Sequence, residues 1–154
     1  MPGMTGCVFK PILMLACLGF GSAHAYCWHS AGEKHAIEPE LLQAIADVES
    51  GQSARSINVN NQDGSHDIGL MQINSHHLSR LRAQGITRQR LLDEPCLSVD
   101  VGAAVLAGFI ARYGYNWTAV GAYNAGNSPH RQAARLRYAR EVWQRYQVIT
   151  QAQR

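Results

Sequence analysis

Residues 45–56, IADVESGQSARS, carry an acid where an apolar residue belongs. Leu42, Ile45 and Glu49 fall at i, i+3 and i+7 of one helical stripe, widened by Leu41 and Val48, and Ser50 and Gly51 follow at once. A carboxyl kept on such a face loses hydration, which disfavours its charged form and lifts its pKa above the ordinary value of about 4.3. An acid held neutral near pH 7 can donate a proton to a departing oxygen, as glycosidic bond cleavage requires. The plainer alternative is a helix-end glutamate turned to water or paired with Arg55.

Other chemistries find little support. The seven histidines include no i, i+4 pair with an intervening glutamate, and the adjacent His76 and His77 face different ways on a helix. There is no glycine-rich phosphate loop and no nucleophile elbow. Neither a metal nor another cofactor is expected.

The elements that must position Glu49 are mostly helical. Pro39 suits the first turn of the helix bearing Glu49, and Gly51 suits its end. Residues 52–67, QSARSINVNNQDGSHD, turn polar around the dipeptide Asp63-Gly64; a loop is expected there, with two short strands and Ile57 and Val59 on one face. Residues 68–85 read as an apolar turn and then a helix capped by Ser75. Residues 95–113 place Val101, Val105, Phe109 and Tyr113 at steps of four among small residues, the pattern of a central buried helix closely approached by another. A short helix then ends at Gly126. Ser128 and Pro129 open a last helix, expected to turn Leu136, Ala139, Trp143 and Tyr146 inward. The fold class expected is mainly α, or α+β with at most a small hairpin, and no internal repeat or linker divides it.

With 154 residues, 46% of them apolar and 16% charged, the chain suits one globular domain. Its first 25 residues read as a signal peptide: Lys10, an apolar run over 11–20, and Ala23-His24-Ala25 before the cut. The apolar run is too short for a membrane span, which takes roughly 20 residues. A lipoprotein cut before Cys17 is the alternative, and both readings imply export. The domain expected is therefore 26–154, periplasmic, monomeric and without a transmembrane segment. Cys27 and Cys96, the pair left in an exported chain, read as one disulfide. Without Lys10 the balance is 13 basic residues against 11 acidic, and much of the excess lies at Arg131, Arg135, Arg137, Arg140, Arg145 and Arg154. That run reads as a solvated helix face or as a surface attracted to anionic polymer. Export makes nucleic acid a poor partner.

Glu49-Ser50, then Gly69-Leu70-Met71-Gln72, then Ala122-Tyr123-Asn124-Ala125-Gly126, in that order in an exported helical domain, resemble the soluble lytic transglycosylase family, whose fold is similar to goose-type lysozyme. The likeness runs from about Cys27 to Tyr146. The stretch NVNNQDGSHDIGLMQIN and the early cysteine resemble the small members that accompany secretion, conjugation and pilus systems, where they open the cell wall locally. Peptidoglycan strands, and components of such an apparatus, are the partners the resemblance implies.

The resemblance makes Glu49 the sole acid and base: it would protonate the bond between N-acetylmuramic acid and N-acetylglucosamine and then take a proton from the muramoyl 6-hydroxyl, leaving a 1,6-anhydro ring. It makes Gln72 a ligand of sugar acetamido or hydroxyl groups, Gly69 the gap that admits a sugar, Met71 an apolar wall, Tyr123 the phenol that orders Glu49, and Asn124 a lining residue. Leu70 and Met71 taken alone read as core. Larger members carry a serine about nine residues after the glutamate; that offset falls here on Asn58, so Ser50, Asn58 and Asn60 are candidate cleft residues only.

A second carboxylate would be needed at about 5–5.5 Å for a retaining hydrolase, or at about 6.5–9.5 Å for an inverting one. The acids nearby in sequence are Asp47, on another helix face, and Asp63 and Asp67, in a loop where aspartate usually serves local turns. The substrate's own acetamido group is the expected helper. Two rivals stand beside this reading: a hydrolytic muramidase using Asp63 or Asp67, and a non-catalytic wall-binding assembly protein.

Overall fold

The computed structural model describes residues 23–154. Most of the expected signal peptide, with Lys10, Cys7 and Cys17, lies outside the described residues, and the expected cut after Ala25 falls in the first turn of the first helix.

Among the described residues seven α-helices and a small sheet follow in order: α1 (Ala23–His35), α2 (Pro39–Ser50), β1 (Ile57–Asn58), β2 (Asp67–Ile68), β3 (Ile73–Asn74), α3 (Leu78–Arg82), α4 (Arg88–Asp93), α5 (Pro95–Tyr113), α6 (Trp117–Ala125) and α7 (Gln132–Ala152). The mainly α fold is as expected. The first helix was not anticipated: Cys27, Trp28, Ala31 and Gly32 form a buried stripe, but small residues supply half of it and leave little apolar contrast to read.

The helix carrying Glu49 forms where the pattern places it. Pro39 occupies its first turn, Leu41, Leu42, Ala44, Ile45 and Ala46 are buried, and Gly51, left-handed at φ 57°, ends it by donating its N–H to the Asp47 carbonyl. One side of α2 packs on α7 and another on α1, while α5 contacts α1, α4 and α6. The deepest side chains are Leu42, Ile45, Ile68, Leu70, Met71, Ile73, Leu91, Val99, Leu106 and Val142, so helices and sheet share one core.

The hairpin expectation is corrected to three antiparallel strands in the order β1-β2-β3, with Ile57 opposite Ile68 and Ile68 opposite Ile73. Ile57 and Val59 do not face inward; both are exposed, and the apolar side of the sheet is supplied by Ile68 and Ile73. The cap after β3 also moves by one residue: the Asn74 side chain accepts from the His76 N–H, while Ser75 Oγ accepts from the His66 N–H across the sheet.

Helix α5 spans the expected residues and is long and apolar enough by composition to cross a bilayer, yet its first half is the domain core. The stepped set is buried only at Val101; Val105, Phe109 and Tyr113 are half-buried. Gly102 admits the Met71 side chain, whose atoms lie 2.8 Å from where a Cβ would stand, rather than another helix. In α7 the inner face is Tyr138, Ala139 and Val142, not the stripe through Leu136 and Trp143. Leu136 is 61% exposed, and Trp143 instead packs edge-on to Trp117 and flat on Tyr146 at the surface. The stripe is shifted because α7 must meet α2 as well as α6, and the side toward α2 is the one carrying Tyr138.

Cys27 in α1 and Cys96 in α5 form a disulfide across 69 residues of chain. For a loop of that length, chain entropy assigns it up to about 4 kcal/mol, acting mainly on the unfolded state. The double substitution Cys27→Ala/Cys96→Ala is therefore expected to lower the unfolding free energy by an amount approaching that value, and the urea midpoint with it. An unchanged midpoint in urea would show that α1 is held by packing alone.

Candidate active site

Glu49 stands at the C-terminal end of α2 on the wall of a cleft of about 950 Å³. One wall comes from β1 to β3 and the polar loop between β1 and β2, contributing Asn58, Asn60, Asn61, Asp63, Ser65, Asp67 and Asn74; the facing residues include Val105, Tyr123, Asn124 and Arg131. Thus a helix end supplies the acid, and a strand-and-loop surface faces it with amides.

Burial pushes the Glu49 carboxyl from 4.5 up to about 7. A hydrogen bond from Tyr138 opposes the shift, the charge of Asp67 adds to it, and the Asn124 side chain opposes it. The Tyr138 hydroxyl donates to Oε1 at 2.6 Å, so Glu49 is bridged to α7 across 89 residues of sequence. Burial, followed by the Glu49 charge, raises the Tyr138 phenol well above 10, so it remains a neutral donor. Arg55 is not a partner of Glu49, because its guanidinium pairs with Asp93.

Tyr138 is the functional neighbour missed in sequence. Its signal was available: with Val142 it makes an i, i+4 pair that fits a buried face, but the flanking Leu136 and Trp143 drew the stripe elsewhere. Tyr123, expected to order Glu49, instead donates its hydroxyl to the Met71 carbonyl at 2.8 Å. It still lines the cleft, beside Asn124.

The Gly69-Leu70-Met71-Gln72 turn is a backbone clamp more than a sugar surface. Ser50 Oγ donates to the Leu70 carbonyl at 2.7 Å, and the Met71 N–H donates to the buried Ser98 Oγ at 3.2 Å. A Cβ on Gly69 would lie 2.6 Å from the Leu91 carbonyl oxygen, and its φ of 76° is one that side chains rarely adopt. Gly69 therefore lets the turn sit against α4, correcting the expectation that its missing side chain admits a sugar. Met71 is fully buried rather than an apolar wall of the cleft. Neither of these, nor Ser50, lies on the cleft surface, whereas Gln72, Asn58, Asn60, Tyr123 and Asn124 all do.

Gln72 is held in the left-handed region at φ 47°, a costly position for a residue with a Cβ. Its Nε2 donates to the carbonyls of Gly69 at 2.8 Å and Ser56 at 3.2 Å. Both amide hydrogens are thereby committed to the backbone, and Oε1 is the end left for another donor.

The two loop acids differ. Asp67 accepts from three side-chain amides: Asn58 at 3.1 Å, Asn61 at 2.9 Å and Asn74 at 2.8 Å. Asn61 and Asn74 also donate to the buried Ser65 Oγ, which knits the loop together. Asp63 sits at the rim, its carboxyl held well below the usual range by Ser65 and then by His76, whose Nε2 is 3.0 Å away. Asp67 is thus a local hydrogen-bond hub and Asp63 a turn residue. Among the described residues no group of three or more His, Cys, Asp or Glu side chains could hold a metal ion.

Comparison with known proteins identifies the family and the fold. A family model described as the Transglycosylase SLT domain matches residues 26–146. The chain is 48% identical over 138 residues to the Invasion protein IagB of Salmonella typhimurium, covering 90% of this chain and 86% of that protein. It is 46% identical over 135 residues to Protein IpgF of Shigella flexneri, covering 88% of each. A Peptidoglycan-binding-like protein of Escherichia coli O157:H7 is 37% identical over 142 residues, covering 88% of this chain and 84% of the relative. Among solved structures, an inactive mutant of the lytic transglycosylase Slt from Pseudomonas aeruginosa shares the fold, with TM-score 0.65 and 22% identity over 86% of this chain; the chain spans only 25% of that larger protein.

The raised carboxyl makes stability depend on pH. In the unfolded chain Glu49 ionises near 4.5, whereas in the folded protein it keeps its proton up to about 7. The folded state binds the extra proton between those values, so this group's contribution is intact below 4.5 and falls as pH rises toward 7. Glu49→Gln is isosteric and removes the liability. It is expected to stabilise the protein by up to roughly 3 kcal/mol at pH 8 and by little at pH 4.5. Urea titrations at the two pH values measure this, and a gain of equal size at both would contradict the burial of an ionisable carboxyl.

Proposed function

The chain belongs to the Transglycosylase SLT domain family and is a peptidoglycan lytic transglycosylase, and from that premise we propose that Glu49 is its single catalytic acid and base. The observation that supports this most is a carboxyl with its pKa raised to about 7 by burial, on the wall of an open, amide-lined cleft.

Tyr138 donates to Oε1, which makes Oε1 the acceptor end of the carboxylic acid and leaves the proton on Oε2. That proton passes to the oxygen linking C1 of the muramoyl residue to the next sugar. As the C1–oxygen bond breaks, the 2-acetamido oxygen of the same residue supports the anomeric carbon. Glu49, now a carboxylate in a poorly hydrated place, takes the proton of the muramoyl 6-hydroxyl, and O6 closes on C1. One bond is exchanged for another, the acid is regenerated, and no water enters.

The surroundings suit one acid better than two. Asp67 has three amide donors to lose before it could act as a base, and its charge serves to keep Glu49 protonated. Gln72, Asn58, Asn60 and Asn124 are proposed as the residues that contact the glycan through amides that match its acetamido and hydroxyl groups, and Tyr123 as a contact through its ring. Ser50, Gly69 and Met71 are assigned to holding the turn beneath them.

A cleavable signal peptide over residues 1–25, a mature domain over 26–154 and a periplasmic location complete the reading. The relative described as an invasion protein supports a role in opening the wall locally for a secretion apparatus. The name of the Escherichia coli relative supports contact with peptidoglycan.

Digestion of purified sacculi is expected to release muropeptides lighter by one water than hydrolysis products, identified by mass spectrometry as anhydro forms. Reducing muramic acid ends would instead indicate hydrolysis with Asp67 as the base. Glu49→Gln should lower turnover by at least about 100-fold, as removal of a general acid does, while glycan binding persists. A protein serving only as a wall-bound scaffold would lose nothing.

The same carboxyl sets the pH profile. Activity of the wild type should fall as pH rises through about 7, since the first step needs the protonated acid. Tyr138→Phe removes a bond that lowers this pKa, so its alkaline limb should move upward. A limb that stays fixed in that variant would separate Tyr138 from the reacting carboxyl.

A further inference from the structure

A second depression continues from the cleft along α5. It holds about 500 Å³ and shares His77 and Val105 with the cleft. Ala104, Gly108 and Ala111 fall at i, i+4 and i+7, so they pave one helical face with small residues. All of them are exposed, and a Cβ built on Gly108 would meet nothing within 4 Å. Arg80 and Arg112 flank the floor, and no acidic side chain lines the trough. Neither arginine is in an ion pair among the described residues; the Arg112 guanidinium lies 5.7 Å over the Tyr113 ring.

We propose that this trough, flanked by Arg80 and Arg112, binds the carboxylates of the peptide stem borne by a muramoyl residue seated in the cleft. The inference rests on the assignment of the cleft to peptidoglycan and goes beyond it by naming a second recognised part of the substrate. A muramoyl residue carries its peptide on a lactyl ether at C3, so a chain lying in the cleft must send the stem out sideways. The stem is short, rich in carboxylates, and has alanyl methyl groups. A shallow floor of alanine and glycine admits its backbone, the half-buried Phe109 meets a methyl, and two unpaired guanidinium groups meet the carboxylates. Glycan alone offers no charge for them.

The test compares the mature protein on two substrates, glycan strands that retain their stems and the same strands stripped by an amidase. The wild type should show kcat/KM about fivefold higher on stem-bearing strands, the scale of two solvent-exposed ion pairs, and the advantage should shrink at high salt. Arg80→Gln/Arg112→Gln should abolish the difference while leaving turnover on stripped strands unchanged. Gly108→Glu, which adds a carboxylate where there is room for one, should do the same by repulsion. A wild type without preference, a preference that survives both variants, or an equal loss on both substrates would each overturn the trough assignment while leaving anhydro-product formation intact. Absence of anhydro product from either substrate would sink the catalytic reading, and this one with it.

Discussion

A hydrogen bond from the last helix to the carboxyl at the end of the second is the contact around which the domain is arranged. Tyr138 and Glu49 are 89 residues apart in sequence and 2.6 Å apart in space. For that bond to form, α7 must run against α2 along the side that carries Ala139 and Val142, and α6 must fold back to bring it there. The bond opposes the rise in pKa that burial imposes, so the same contact that fixes the carboxyl's direction also keeps it within reach of neutral pH. Burial alone would leave an acid too weak to give up its proton; exposure alone would leave one already ionised.

Of the three carboxylates that line the cleft, Asp67 and Glu49 are sorted by their surroundings. Asp67 accepts from three amide donors and is held in place in a cradle of asparagines. Glu49 has one phenol and a poorly hydrated pocket, so it keeps its proton. The charge on the first disfavours charge on the second, which is how unlike environments assign unlike roles to chemically similar groups. The asparagine-rich loop thereby acts on the acid without touching it.

Much of the frame was legible in sequence because it follows from short-range rules. Pro39 and Gly51 bracket α2, Pro95 and Gly114 bracket α5, and the acid on the stripe of α2 stood out because it broke a period. What escaped were features decided by distant partners. Whether α7 turns Tyr138 or Trp143 inward depends on which of its sides meets α2, and the apolar content of both sides is similar. Tyr123 was placed on the cleft, but whether its hydroxyl chooses Glu49 or the Met71 carbonyl is set by a turn 52 residues earlier. The third strand was hidden because two-residue strands leave no period to read.

The turn from Gly69 to Gln72 shows why motif residues need not touch what the motif acts on. Its carbonyls and N–H groups are taken by Ser50, Ser98 and Tyr123, three side chains from three helices, so the turn ties α2, α5 and α6 at one point. Gly69 is required there because any side chain would strike the Leu91 carbonyl, and Met71 is required because it fills the space left by Gly102. The strain then falls on Gln72, the residue that reaches the cleft, whose left-handed backbone is compensated by its own amide bonds to Gly69 and Ser56. A residue paid for in this way is held still. In the proposed glycan contact its carbonyl oxygen would therefore meet the sugar with little further loss of side-chain entropy, which is the condition under which a single hydrogen bond orients a substrate.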